Sequence, residues 1–104
     1  MTQCPAITDL ARMAQAGEIH LIDVRELSEL QSSGKAQGAR HIALALLPLK
    51  ATEIATDRPV AIYCAAGGRA GRAADLLRQM GHETVWNIGG LADWVAAGGP
   101  VEQV

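Results

Sequence analysis

Phenylalanine is absent from this 104-residue chain, and aromatic residues make up only 3% of it. Ala, Leu, Ile and Val must therefore fill the core, with Trp86 and Trp94 as its large pieces. There is no surplus of basic charge: the net charge of −2 excludes the electrostatic footprint of a nucleic-acid-binding domain. With 49% hydrophobic residues, the composition is not that of a disordered chain either. No apolar run approaches the length of a membrane span. Residues 1–8 lack the basic region and apolar core of a signal peptide, so a cytoplasmic location is expected. Cysteine is scarce as well. Cys4 and Cys64 are too few for a disulfide framework, and Cys4 reads as a small, semi-buried residue before Pro5. His20, His41 and His82 are far apart and at no ligand spacing from either cysteine, so no metal site and no cofactor are expected. His20 and His82 read as surface or boundary residues, and His41 as a structural histidine with its hydrogen bonds satisfied. There is no internal repeat and no low-complexity segment. The length suits one domain, 1–104, burying roughly two-thirds of its unfolded surface.

What is present is an alternation of apolar runs and helical patterns. Strands are expected over Ile19–Val24, Ala39–Leu44, Val60–Tyr63 and Thr84–Ile88, with a short edge strand over Cys4–Ile7. Helices are expected over Thr8–Ala16, Glu26–Ser32, Pro48–Thr56, Ala70–Met80 and Leu91–Ala97. Thr8 can cap the first helix, and Gly17, Gly81 and Gly98-Gly99 can end helices in a left-handed conformation. Ala70, Ala73, Ala74, Leu77 and Met80 recur at helical spacing and form one buried face; Arg72 and Asp75 lie opposite it as an i,i+3 pair. Strands separated by helices imply crossover connections and a mainly parallel α/β sheet with helices on both faces. Sites in such sheets gather beyond the carboxyl ends of the strands, where Asp23, Arg25, Cys64, Gly89 and Gly90 all fall.

Cys64 is the most informative residue. It ends an apolar run, two alanines and two glycines follow, and Arg69 opens an alanine-rich helix. A strand, a tight loop and a helix would set the Cys64 sulfur over a ring of backbone N–H groups. That ring should lower the thiol pKa from about 8.5 toward neutrality. Arg69 and Arg72 fall in the first helical turn, where the dipole disfavours cations unless a local anion offsets it. A thiolate, a persulfide or an anionic substrate could supply that anion.

Four blocks resemble the rhodanese family: Asp23-Val24-Arg25-Glu26, Gly38-Ala39-Arg40-His41-Ile42, the C-x-x-G-x-R loop Cys64-Ala65-Ala66-Gly67-Gly68-Arg69, and Ile88-Gly89-Gly90-Leu91-Ala92-Asp93-Trp94. Their order and spacing match the family over nearly the whole chain. The resemblance implies a five-stranded parallel sheet and sulfur transfer through a persulfide on Cys64. It places the transferred sulfur among Ala65, Ala66, Gly67, Gly68 and Arg69, with Asp23 and Arg25 as a structural pair beside the site. Many active members carry a charged or polar residue after the cysteine, whereas this chain has Ala65 and Ala66. A donor such as thiosulfate should bind less firmly, and a persulfide on another molecule becomes the alternative donor.

A phosphatase would need C-x5-R, one residue more than is found here, and an acid for the leaving group. The other class to weigh is a catalytically weak binding or redox-sensing module on the same fold. The expected partners are a small sulfur donor and acceptor, or a protein persulfide or thiol, with no membrane or nucleic acid; a monomer is expected.

Overall fold

The computed structural model describes residues 3–104. In chain order the elements are α1 (Ile7–Gln15), β1 (His20–Asp23), α2 (Leu27–Ser33), β2 (Lys35–Ala36), β3 (Arg40–His41), α3 (Leu47–Lys50), β4 (Val60–Cys64), α4 (Gly68–Gln79), β5 (Val85–Gly90), α5 (Leu91–Ala96) and β6 (Val101–Glu102). Single 3₁₀ turns at Leu44–Leu46 and Ala51–Glu53 flank α3.

All five residues of β4 are buried, as an apolar run covered on both faces requires. Side-chain alternation along β4 divides the core. Val60, Ile62 and Cys64 face one way, with Ile22 and Val24, against Ala70, Ala73, Ala74 and Leu77 of α4. Ala61 and Tyr63 face the other way, with Leu21 and Trp86, against Leu10 of α1 and Trp94 of α5. Helices therefore cover both faces of the sheet, as the alternating pattern predicts.

The central sheet has order β3-β1-β4-β5, and every pairing in it is parallel. The chain leaves β1 toward β3 on one side and returns to β4 on the other, so the connection reverses direction between β1 and β4. Ligand sites in open α/β sheets form at such a switch point, outside the carboxyl ends of the strands. Asp23 ends β1, Cys64 ends β4 and Gly90 ends β5 there.

Among the described residues the central sheet holds four strands rather than the expected five; β2 and β6 form a separate antiparallel ribbon. The edge strand expected over Cys4–Ile7 does not form. Pro5 has no N–H to offer a ladder, and Leu10 N–H already donates to Ala6 O at 2.9 Å, so α1 starts at Ile7. Ala6, not Thr8, stands at its cap, with no side-chain cap bond. The strand expected over Ala39–Leu44 shrinks to Arg40–His41, because the chain turns at Leu46 N–H to Ala43 O (2.8 Å). Pro48 sits in the first turn of α3, where its missing N–H is harmless. The helix expected over Pro48–Thr56 breaks into α3 and a 3₁₀ turn that bury Leu47, Ala51 and Ile54. Met80 lies beyond α4 and is exposed, and Asp75 pairs with Arg78 rather than with Arg72.

Candidate active site

Three residues, Ala65, Ala66 and Gly67, join β4 to α4. Gly67 stands at the helix cap with φ 104°, a left-handed conformation that favours glycine. Asn87 of β5 braces the turn: its Nδ2 donates to Gly67 O at 2.9 Å, while its Oδ1 accepts the Gly89 N–H at 3.0 Å. Gly90 presses against the loop from the other side. A Cβ there would stand 2.0 Å from Ala65 O. Gly90→Ala should therefore displace the loop, with a stability loss of about 1–3 kcal/mol and a much larger loss of thiol reactivity. Chemical denaturation beside the rate of Cys64 alkylation measures both; equal small changes would mean that the loop yields without consequence.

The Cys64 side chain points into this turn. Its Sγ accepts the N–H of Gly67 at 2.9 Å and that of Ala70 at 3.4 Å. The residue is 1% exposed, and burial pushes its pKa up; the N–H groups of Ala70, Gly67, Ala66 and Arg69 outweigh this, so the net shift is downward. The cradle is thus the amides of residues 66, 67, 69 and 70. Ala70 joins the loop residues because α4 starts at Gly68 and aims its first free N–H groups back at the sulfur. The pH dependence follows from the sign of the shift. A lowered pKa means thiolate at lower pH, so the alkylation rate of Cys64 should climb and level off with a midpoint below about 8.5. A midpoint at or above that value would mean that the amides do not act on the sulfur.

Arg69 does not wait for an anionic substrate. Its two terminal nitrogens donate to Glu29 Oε1 at 2.6 Å and Oε2 at 2.9 Å. Glu29 also accepts the Glu26 N–H at 3.0 Å, at the start of α2. Arg69 and then the Glu26 amide hold the Glu29 carboxyl at about 2, far below the usual range. The anion expected to offset Arg69 is thus a carboxylate forty positions earlier in the chain. Arg72 falls in the second turn of α4, not the first, and is exposed.

Asp23 and Arg25 are 0% and 3% exposed. Arg25 Nη2 donates to Asp23 Oδ2 at 2.7 Å and to Gly34 O at 2.7 Å, and Nη1 donates to Ser33 Oγ at 2.8 Å. The pair ties the end of β1 to the end of α2. His41 Nε2 lies 2.6 Å from Arg25 O, which can only accept, so this nitrogen carries the proton and donates to the backbone beside the pair.

Other expected positions lie elsewhere. Cys4 is exposed rather than semi-buried, and it lines a separate hollow with Arg78, Glu83 and Trp86. Both cysteines are free. His82 is buried, not a surface residue, and its Nδ1 has no hydrogen-bond partner. Glu29 and Asn87 are the functional neighbours that sequence reasoning missed. Asn87 left a signal, as the polar residue inside an otherwise apolar strand. Glu29 left a weaker one, as the third residue after Glu26 at a helix start.

Comparison with known proteins agrees with this geometry. Residues 6–97 match the family model of the rhodanese-like domain. A sulfurtransferase of Allochromatium vinosum is 34% identical over 91 residues, covering 86% of this chain and 84% of that protein. Thiosulfate sulfurtransferase PspE of Escherichia coli is 37% identical over 76 residues, covering 71% and 72%. A protein of Bacillus subtilis is 45% identical over 75 residues, which cover 71% of this chain but only 59% of that protein's length. Among solved structures, a rhodanese-related protein of Thermoplasma volcanium superposes with a TM-score of 0.81 at 28% identity, covering 99% of this chain and 100% of that one. A parallel sheet with its switch point between β1 and β4, a cysteine cradled by amides at that point, and a family match over residues 6–97 lead to one conclusion: the chain belongs to the rhodanese family.

Proposed function

We propose that the protein is a sulfurtransferase that carries sulfane sulfur as a persulfide on Cys64. The observation that supports this most is the Cys64 Sγ held by the Gly67 and Ala70 amides at the end of β4. In the first step the Cys64 thiolate attacks the outer sulfur of a donor. A bond forms between Sγ and that sulfur, the donor's S–S bond breaks, and its electron pair leaves with the remainder of the donor. Thiosulfate would leave sulfite, and a persulfide R–S–SH would leave the thiolate R–S⁻. The amides of residues 66, 67, 69 and 70 favour the negative charge on the Cys64 sulfur before the attack and again when the acceptor has left it. In the second step an acceptor thiolate or cyanide takes the outer sulfur, and the electron pair of the Sγ–S bond returns to Cys64. No adjacent base is required, because the surroundings themselves favour the thiolate.

Ala65, Ala66 and Gly68 form the exposed rim of the loop that holds the buried sulfur, and a donor's terminal sulfur would approach over that rim. No helix among the described residues is long and apolar enough to cross a membrane; the proposed setting is the cytoplasm, with a small or protein-borne sulfur compound as partner. Incubation with a sulfane-sulfur donor, followed by intact mass and peptide mapping, tests the reading. One added sulfur on Cys64, removed by cyanide, is the expected result. A chain that stays unmodified with every donor would instead be a binding module.

A further inference from the structure

Cys64 is buried in the loop, so a donor that brings its terminal sulfur there rests its remaining atoms on the surface beside the loop. That surface is an open groove of about 800 Å³ between α2 and α5, reached over Ala65. Ser28 and Ser32 line one wall, and Leu91 and Val95 the other. The ionisable residues in its lining are Arg25 and Glu29. Arg25 is neutralised by Asp23 and Glu29 by Arg69, in each case through two-point contact.

We propose that Glu29 determines donor specificity: by occupying the Arg69 guanidinium it leaves the groove beside Cys64 without a free positive charge, and so favours donors with an uncharged carrier group over dianionic ones such as thiosulfate. The inference rests on the sulfurtransferase reading. Glu29 is well placed for this task. The Glu26 amide fixes its carboxylate at the start of α2, and its depressed pKa keeps it charged throughout the physiological range. Both partners are only about one-third exposed, so the pair is not a loose surface contact. An organic persulfide would place its carrier along Leu91 and Val95 and leave as a single thiolate. Thiosulfate would bring two negative charges to a groove that offers no cation to receive them.

The test separates charge at the groove from support of the fold. In the full chain carrying Cys4→Ser, so that Cys64 is the only thiol, the alkylation rates with iodoacetate and with uncharged iodoacetamide are measured at low ionic strength. Glu29→Gln keeps an acceptor for the Glu26 amide but frees the Arg69 charge. The iodoacetate-to-iodoacetamide ratio should rise by about three- to tenfold and lose that gain in high salt. Arg69→Gln bares Glu29 instead, and the ratio should fall by a similar factor. The double variant should return toward the starting value. In parallel, kcat/KM for thiosulfate relative to 2-hydroxyethyl persulfide should move in the same directions. Rates that fall together for both reagents, with the ratio unchanged in both single variants, would show that the pair only supports the loop and would overturn the proposal. If no donor adds sulfur to Cys64, the sulfurtransferase reading fails on its own, and the alkylation ratio still decides whether Glu29 sets the charge at the groove.

Discussion

Cys64→Ser is expected to remove sulfur transfer, with a loss of about a thousandfold or more in kcat/KM, since a serine hydroxyl stays protonated in the same cradle and forms no persulfide. The fold should survive the change. The oxygen is smaller than the sulfur it replaces, and the Gly67 amide at 2.9 Å and the Ala70 amide at 3.4 Å still face an acceptor. Cys4→Ser should leave transfer intact, because Cys4 is exposed and lines a different hollow from the one beside Ala65. The measurement is donor-dependent release of thiocyanate from cyanide, read beside circular dichroism. Wild-type turnover in a folded Cys64→Ser protein would end the persulfide mechanism. Loss of transfer in a folded Cys4→Ser protein would point to a relay of two thiols.

Asp23→Ala should have the largest effect on stability. It leaves the Arg25 guanidinium buried at 3% exposure with only Ser33 Oγ and Gly34 O as partners. Breaking a buried ion pair in this way costs about 3–5 kcal/mol, against a total stability of about 5–15 kcal/mol for a domain. Arg25→Met strands the Asp23 carboxylate in the same manner. The Tyr63 ring, 5.7 Å from the guanidinium carbon, also loses its charged neighbour. The double variant Asp23→Ala/Arg25→Met should lose less than the sum of the two single losses, because neither charge is then left alone. Urea denaturation gives all three values. A loss below about 1 kcal/mol in both single variants would mean that water reaches the pair, contrary to its burial.

The difference between these two predictions reflects how the site is assembled. The reactive part is local. Val60–Cys64 is apolar throughout, Gly67 takes a left-handed turn, and the alanines of α4 recur at helical spacing, so strand, loop and helix follow one another within twenty residues. Short-range periodicity and turn chemistry act at that range, and they place the sulfur before any partner is known. The Asp23–Arg25 pair is equally close in sequence, and its structural role could be read there for the same reason. The short elements were harder to read. A two-residue strand such as β3 carries no period of its own; it exists because Ile22 and Asp23 of β1 offer it a ladder.

The sequence by itself determined the α/β class, the buried central strand, and Cys64 as the nucleophile candidate at its carboxyl end. Each of these depends on residues within one or two elements, where hydrophobic period and glycine conformation decide. Only the tertiary structure decided what surrounds the nucleophile. Glu29 reaches Arg69 across forty positions, Asn87 reaches Gly67 across twenty, and Gly90 meets Ala65 where β5 shifts register against β4. Those contacts follow from strand order and crossover, which no local pattern encodes. They turn an arginine that looked free to bind an anion into one already held by a carboxylate.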